Sequence, residues 1–220
     1  MAKKIIYKKQ YIGHSEVDEI RKYFDEINDS PYDSRGPHDT KKNALGWQGC
    51  WDRQLHLEKI DNPIHTLISK LKNDFGDFVI YESSIRYFCA PFLPHSDIRD
   101  SAWLKQARQQ NLSCGFVFLI PLWWQEHYQP GTAFYSSPAK LEEPLYVDML
   151  EILPKFSEDS ETRNFSIRQI CHWQSPGDLI AWENFQFHGS CGHGIFSYDR
   201  KKWIKEFISI ETWKYGSRYK

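Results

Sequence analysis

His95 and Asp97 stand one residue apart in the run Leu93-Pro94-His95-Ser96-Asp97. Successive side chains of an extended segment point to opposite faces, so an imidazole and a carboxylate at this spacing reach one metal ion from the same side. A second histidine from elsewhere would complete a set that leaves three positions of an octahedral ion open to small ligands. The pair alone proves little, because chance produces a His-x-Asp in a chain of this composition about as often as not. His14/Glu16 and His56/Glu58 have the same spacing, but the first straddles a predicted helix start and the second lies in the charged run Asp52 to Lys59, so both read as solvated surface. His188 and His193 are the candidates for the distal ligand, on a stretch made pliable by Gly189, Gly192 and Gly194; His172 falls inside a predicted strand and reads as structural.

The elements that position these residues follow from periodicity. Ser15, then Glu16, Asp18 and Glu19, then Ile20, Tyr23, Phe24 and Ile27 predict a capped amphipathic helix over about 15–28. Asn62 as cap, Pro63 in the first turn, Ile64, Leu67, Ile68 and Leu71 on one face and Gly76 as stop predict a second over 63–75. Asp29 to Thr40 and the Trp-rich Gly46 to Arg53 read as loops. From Phe78 the period shortens towards two, predicting strands over 78–89, 113–122, 133–136, 164–173, 178–182 and 203–213, with helical insertions near 101–109 and 144–153. Helices followed by many strands predict a mainly β fold with flanking helices: a helical layer over residues 1–77 against a jelly-roll core over 78–213, as one domain spanning 1–220. If strand parity holds through Pro91 and Pro94, Tyr87 faces the same way as His95 and Asp97 and lines the site; a core tyrosine is the competing role.

The turn Ser175-Pro176-Gly177-Asp178 delivers Leu179-Ile180-Ala181-Trp182 as a short buried strand, and His188 follows eleven residues after Gly177. Taken in order, His95-Ser96-Asp97, Gly131-Thr132-Ala133-Phe134, Gly177-Asp178-Leu179-Ile180 and His188 resemble the Fe(II)/2-oxoglutarate-dependent oxygenase superfamily, across about residues 78 to 213. The resemblance implies a cupin-like double-stranded β-helix in which His95, Asp97 and His188 bind iron and act as the catalytic set. It implies 2-oxoglutarate as co-substrate, held by a cation near the strand after the distal histidine; a carboxylate taken into a closed pocket requires such a partner. Arg200, Lys201, Lys202 and Lys205 are available, with Arg200 nearest the usual distance and Lys202-Trp203-Ile204 similar to the prolyl 4-hydroxylase-like branch. The Arg-x-Ser pair of some branches is missing. The implied reaction couples O2 and oxidative decarboxylation of 2-oxoglutarate to succinate and CO2 with hydroxylation of an unactivated C–H bond. Related halogenases lack the carboxylate ligand, so Asp97 favours hydroxylation.

Trp47, Trp51, Arg53 and Arg99, with Trp103, Trp123 and Trp124, lie on segments that cover the site in this family, which suggests an aromatic-walled pocket for a small molecule, a peptide or an amino acid. Packing of the helical layer is the competing role, above all for Trp103. A net charge of -1 supplies no field for nucleic acid or an anionic membrane, although Lys3, Lys4, Lys8 and Lys9 make a basic start that reads as a solvated tail. Five cysteines without a Cys-x-x-Cys pair fit reduced thiols rather than disulfides or zinc, and no apolar run approaches membrane-spanning length, so a soluble, cytoplasmic enzyme is expected. The alternative is a metal-dependent jelly roll that does not use 2-oxoglutarate, such as a cupin-type isomerase or oxygenase or a binding module. A nucleic-acid-modifying oxygenase would need a basic stripe that the composition does not provide.

Overall fold

A computed structural model describes residues 5–26, 50–88, 107, 109–135, 167–184, 186, 188–194 and 205–215. Along the chain come β1 (Ile6–Lys8), α1 (His14–Glu26), β2 (Cys50–Gln54), α2 (Ile64–Phe75), β3 (Phe78–Phe88), β4 (Leu112–Trp124), β5 (Tyr128–Tyr135), β6 (Ile167–His172), β7 (Leu179–Glu183), β8 (His188–Gly194) and β9 (Lys205–Tyr215). The strands form a large antiparallel sheet in the order β1-β7-β4-β9-β3-β2 and a small one in the order β6-β5-β8. The chain crosses between the sheets at β4–β5, β6–β7, β7–β8 and β8–β9, which is the winding of a double-stranded β-helix.

Strands β4, β7 and β9 each have one face towards the helices and one towards the small sheet. On β4, Phe118, Ile120 and Leu122 join the helix-side cluster, while Val117 and Leu119 join the cluster between the sheets. On β7, Leu179 and Ala181 take the first side, and Ile180 and Trp182 the second. Both faces are therefore apolar, and β4 reads as the unbroken run Phe116 to Leu122 rather than an alternation. Helix α1 contributes Val17, Ile20 and Phe24 to the helix-side core, and α2 contributes Ile64, Leu67, Ile68 and Leu71. Each such side chain, fully buried, adds roughly 1.5–3 kcal/mol of transfer free energy. The expected Asn62 cap is present, with Asn62 Oδ1 accepting from Ile64 N at 3.0 Å; α1 instead starts at His14, ahead of Ser15, and Glu16 Oε2 accepts from Gly13 N at 2.7 Å.

Three strands replace expected loops or tails. Residues 1–77 are not purely helical, because β1 pairs with β7 and β2 with β3. The basic start therefore holds a strand, with Lys8 bound to Asp74 at 2.6 Å. The glycine-rich stretch from His188 is a strand because β5 supplies a hydrogen-bonding partner along its length, from Phe134↔His188 to Tyr128↔Gly194. The loop over 29–40, the insertion over 144–153 and all of the insertion over 101–109 except Ala107 and Gln109 lie outside the described residues.

The Gly177-Asp178 turn locks β1 to β7. Gly177 has φ of 86°, its N–H donates to Pro121 O at 2.8 Å, and a Cβ there would stand 2.3 Å from the Ile12 carbonyl oxygen. The fully buried Asp178 carboxylate accepts from the Tyr7 hydroxyl, Gln10 N (2.9 Å), Gln174 N (3.1 Å) and Ser175 N (2.9 Å). Burial first, and then the hydrogen bond and charge of Asp178, hold the Tyr7 phenol far above its ordinary range. Gly177→Ala should therefore cost about 2–3 kcal/mol or more, read as a lower midpoint of urea unfolding; an unchanged midpoint would show that Ile12 can move aside.

Arg86, Glu82 and Glu211 form a second lock on the interior face of the large sheet. The Arg86 guanidinium lies 3.0 Å from Glu82 Oε1 and 2.8 Å from Glu211 Oε1, joining β3 to β9. With two carboxylates around one buried cation, Arg86→Met should destabilise the fold by about 3 kcal/mol or more, since it strands charge away from water. A neutral effect in the same unfolding measurement would mean that water reaches the pair.

Candidate functional site

The space between the sheets is lined by Val117, Leu119, Phe134, Cys171, Trp173, Ile180, Trp182 and Phe207, an apolar shell drawn from both sheets. Burial raises the Cys171 thiol above its usual range, so this member behaves as a small apolar group. His188 and Lys205 are among the polar side chains that reach the shell. His188, the first residue of β8, is 7% exposed and has its ring centroid 4.5 Å from that of Trp182 and 6.5 Å from that of Phe134. Lys205, the first residue of β9, is 1% exposed, with Nζ 5.1 Å from the Trp173 ring and 5.9 Å from the Phe207 ring.

The connection from β7 to β8 aims His188. Asn184 is buried, donating through its side chain to Thr212 O at 2.9 Å and through its backbone to Gly115 O at 3.3 Å. Gln186 is buried as well; its backbone N–H donates to Glu183 O at 2.8 Å and its side chain to Tyr135 O at 2.7 Å. The Gln186 carbonyl then lies 3.0 Å from His188 Nδ1. A carbonyl only accepts, so Nδ1 carries the proton and the neutral ring presents its lone pair at Nε2. A histidine held in this way by its other nitrogen is the usual form of a metal ligand, and its donor chemistry fits a divalent metal.

His95, Asp97, Arg99, Trp47, Arg200, Lys201, Lys202 and Trp103 lie outside the described residues. Among the described residues no group of three His, Cys, Asp or Glu is gathered as a metal site. His193 is on β8 opposite Gln129, five residues down the strand from the Phe134↔His188 pair. His172 is exposed at the end of β6. His56 Nδ1 lies 3.2 Å from Glu58 Oε1 at the surface, as expected. Trp51 and Arg53 are on β2, opposite Tyr87 and Ile85 in register. Trp123 and Trp124 close β4, where Trp124 packs against Trp173 with centroids 6.2 Å apart.

Tyr87 does not line the interior. It is buried with Ile85 in the helix-side cluster, and its neighbour Arg86 takes the inward position opposite Phe207. An irregularity between Ile80 and Glu82 shifts the strand's parity, but Tyr87 and Ile85 share one face beyond it. Lys205, Gln186 and Trp182 are the interior polar groups that sequence reasoning underweighted. For Lys205 the signal was present, as a lysine inside the apolar run Trp203 to Ile210.

No protein-family profile and no curated protein matches the chain. Solved structures do. The non-heme α-ketoglutarate-dependent carbocyclase SnoK, from nogalamycin biosynthesis, superposes with a TM-score of 0.56 at 11% identity, over 96% of this chain and 80% of that one. The iron- and α-ketoglutarate-dependent endoperoxidase NvfI superposes with a TM-score of 0.51 at 12% identity, over 97% of this chain and 79% of that one. No helix among the described residues is long and apolar enough to cross a membrane. Strand order, crossovers and superposition agree that this chain has the double-stranded β-helix fold of iron- and 2-oxoglutarate-dependent oxygenases.

Proposed function

We propose that the protein is an Fe(II)- and 2-oxoglutarate-dependent dioxygenase that hydroxylates an unactivated C–H bond of a small-molecule, peptide or amino-acid substrate. The observation that carries this reading is the orientation of His188, whose Nδ1 is tied to the Gln186 carbonyl at the mouth of an apolar interior. His188 would hold the metal together with His95 and Asp97. The bound iron, with 2-oxoglutarate and O2, supplies the oxidising power. The chain's own part is to hold the ligands, exclude water and place the target bond. Phe134 and Trp182 pack against His188, and Val117 and Ile180 extend the same apolar cluster.

Lys205 is the anchor we assign to the far carboxylate of 2-oxoglutarate, in place of Arg200 or Lys202. It opens β9, opposite Trp124, and its ammonium is drawn into the same apolar shell that His188 enters. A cation drawn this deep into an apolar shell, on the strand after His188, suits an entering carboxylate. The two superposed enzymes are a carbocyclase and an endoperoxidase, so the fold serves several oxidative outcomes. Asp97 supports hydroxylation here, since a complete carboxylate-containing ligand set leaves no place for a halide.

Purified protein supplied with Fe(II), O2 and 2-oxoglutarate should form succinate even without a prime substrate, slowly, and His188→Ala should abolish both succinate formation and binding of one Fe(II) equivalent. Thermal unfolding of the apo variant should stay close to that of the wild type. Metal binding and succinate formation that survive His188→Ala would remove this residue from the metal site.

A further inference from the structure

We infer that the indole N–H of Trp182 is a positioning donor for an oxygen atom of the 2-oxoacid bound beside His188. This rests on the proposed use of 2-oxoglutarate and goes beyond it by naming a hydrogen bond.

Trp182 lies on the interior face of β7 and is 1% exposed. Its ring body is accounted for by packing: it meets Phe134 edge-on, with centroids 5.3 Å apart at 67°, and His188 at 4.5 Å and 50°. Its Nε1 is not accounted for, because it is buried without an acceptor among the described residues. The other fully buried tryptophan of the same shell shows the usual solution: Trp173 Nε1 donates to the buried Thr132 Oγ1 at 3.1 Å. Nearly all buried polar groups in folded proteins find a partner, and an orphan donor destabilises the chain that carries it. A phenylalanine would fill much of the same volume with no orphan, so packing alone does not explain tryptophan here.

The acceptor must arrive from outside the described fold, and His188 limits where. With Nδ1 bound to Gln186, Nε2 is the nitrogen that would face a metal, on a ring whose centroid lies 4.5 Å from that of Trp182, so a ligand bound beside His188 enters the neighbourhood of the indole. The oxygens there that accept without donating belong to the proposed Asp97 ligand and to a chelated 2-oxoacid, and only the second arrives with added 2-oxoglutarate. A neutral indole N–H suits this place, because it supplies a fixed dipole where a lysine or arginine would compete with the metal for the same oxygens. No proton is transferred; Trp182 orients the ligand.

The test compares the wild type with Trp182→Phe, both loaded anaerobically with Fe(II) and titrated with 2-oxoglutarate, reading the visible charge-transfer band. The variant should bind Fe(II) as the wild type does but bind 2-oxoglutarate roughly tenfold more weakly, with a displaced band, as expected for loss of a hydrogen bond to a charged group. A second measurement covers a variant that fails to fold: the indole ¹⁵N–H resonance of Trp182 in the wild type with diamagnetic Zn(II), assigned through its contacts to the Phe134 ring. Addition of 2-oxoglutarate should move that resonance downfield and slow its exchange with water. A wild type that shows the band, with unchanged affinity in Trp182→Phe and a stationary indole resonance, overturns the inference alone. A metal-loaded wild type that shows no band overturns the proposed function, and this inference with it.

Discussion

The large sheet is covered on both sides, and that constraint shapes every strand in it. Helices α1 and α2 and the chain around Tyr11 and Leu55 cover one face, and the small sheet covers the other. Since alternate residues face opposite sides, a strand buried twice is apolar throughout, and any polar residue in it stands out chemically. On β9 the inward positions are Lys205, Phe207, Ser209 and Glu211, while Ile208 and Ile210 pack under the helices. Arg86 and Ser84 answer them from β3. The interior thus carries a polar strip along two neighbouring strands and an apolar wall opposite. Such a strip is unfavourable for stability unless its groups satisfy one another, as Arg86 and Glu211 do, or meet a ligand.

The turn at Gly177-Asp178 and the connection from Asn184 to Gln186 transmit this packing to the site. Four donors on the Asp178 carboxylate fix the start of β7, and buried side-chain amides to Thr212 and Tyr135 fix its exit. Between them β7 spans Leu179–Glu183, with Trp182 in the cluster between the sheets, and His188 opens the next strand. A rigid frame of this kind suits a ligand set that must hold its shape while co-substrate and O2 come and go.

Much of this was legible in the sequence where the signal is local. The helices were, because a capping Asn62 and apolar residues three and four apart act within one segment. The Gly177-Asp178 turn and its following strand were, because a positive φ and an apolar run leave marks on neighbouring residues. Strand β8 was not: its glycines read as loop, and only pairing with β5, some sixty residues earlier in the chain, makes it a strand. Strand β2 escaped for the same reason, since its partner β3 lies beyond a helix. Tyr87 was assigned to the wrong face because parity was carried forward through two prolines to His95, whereas the facing direction is set by the register with β9. Lys205 was one of four cations open to the anchoring role, with Arg200 favoured on distance and Lys202 on its Lys-Trp pattern, and neither criterion registers that Lys205 is buried in the apolar shell.

In the proposed function this interior has two ends, a metal end at His188 and an anion end at Lys205, spanned by one 2-oxodicarboxylate. The most direct measurement is the affinity of the Fe(II)-loaded protein for 2-oxoglutarate and for 2-oxobutyrate, which lacks the second carboxylate, in the wild type and in Lys205→Met. The account predicts a preference of about a hundredfold for 2-oxoglutarate in the wild type, on the scale of one buried charge pair, that collapses in the variant through loss of 2-oxoglutarate binding alone. A preference that persists in Lys205→Met would place the anion end elsewhere and contradict the account.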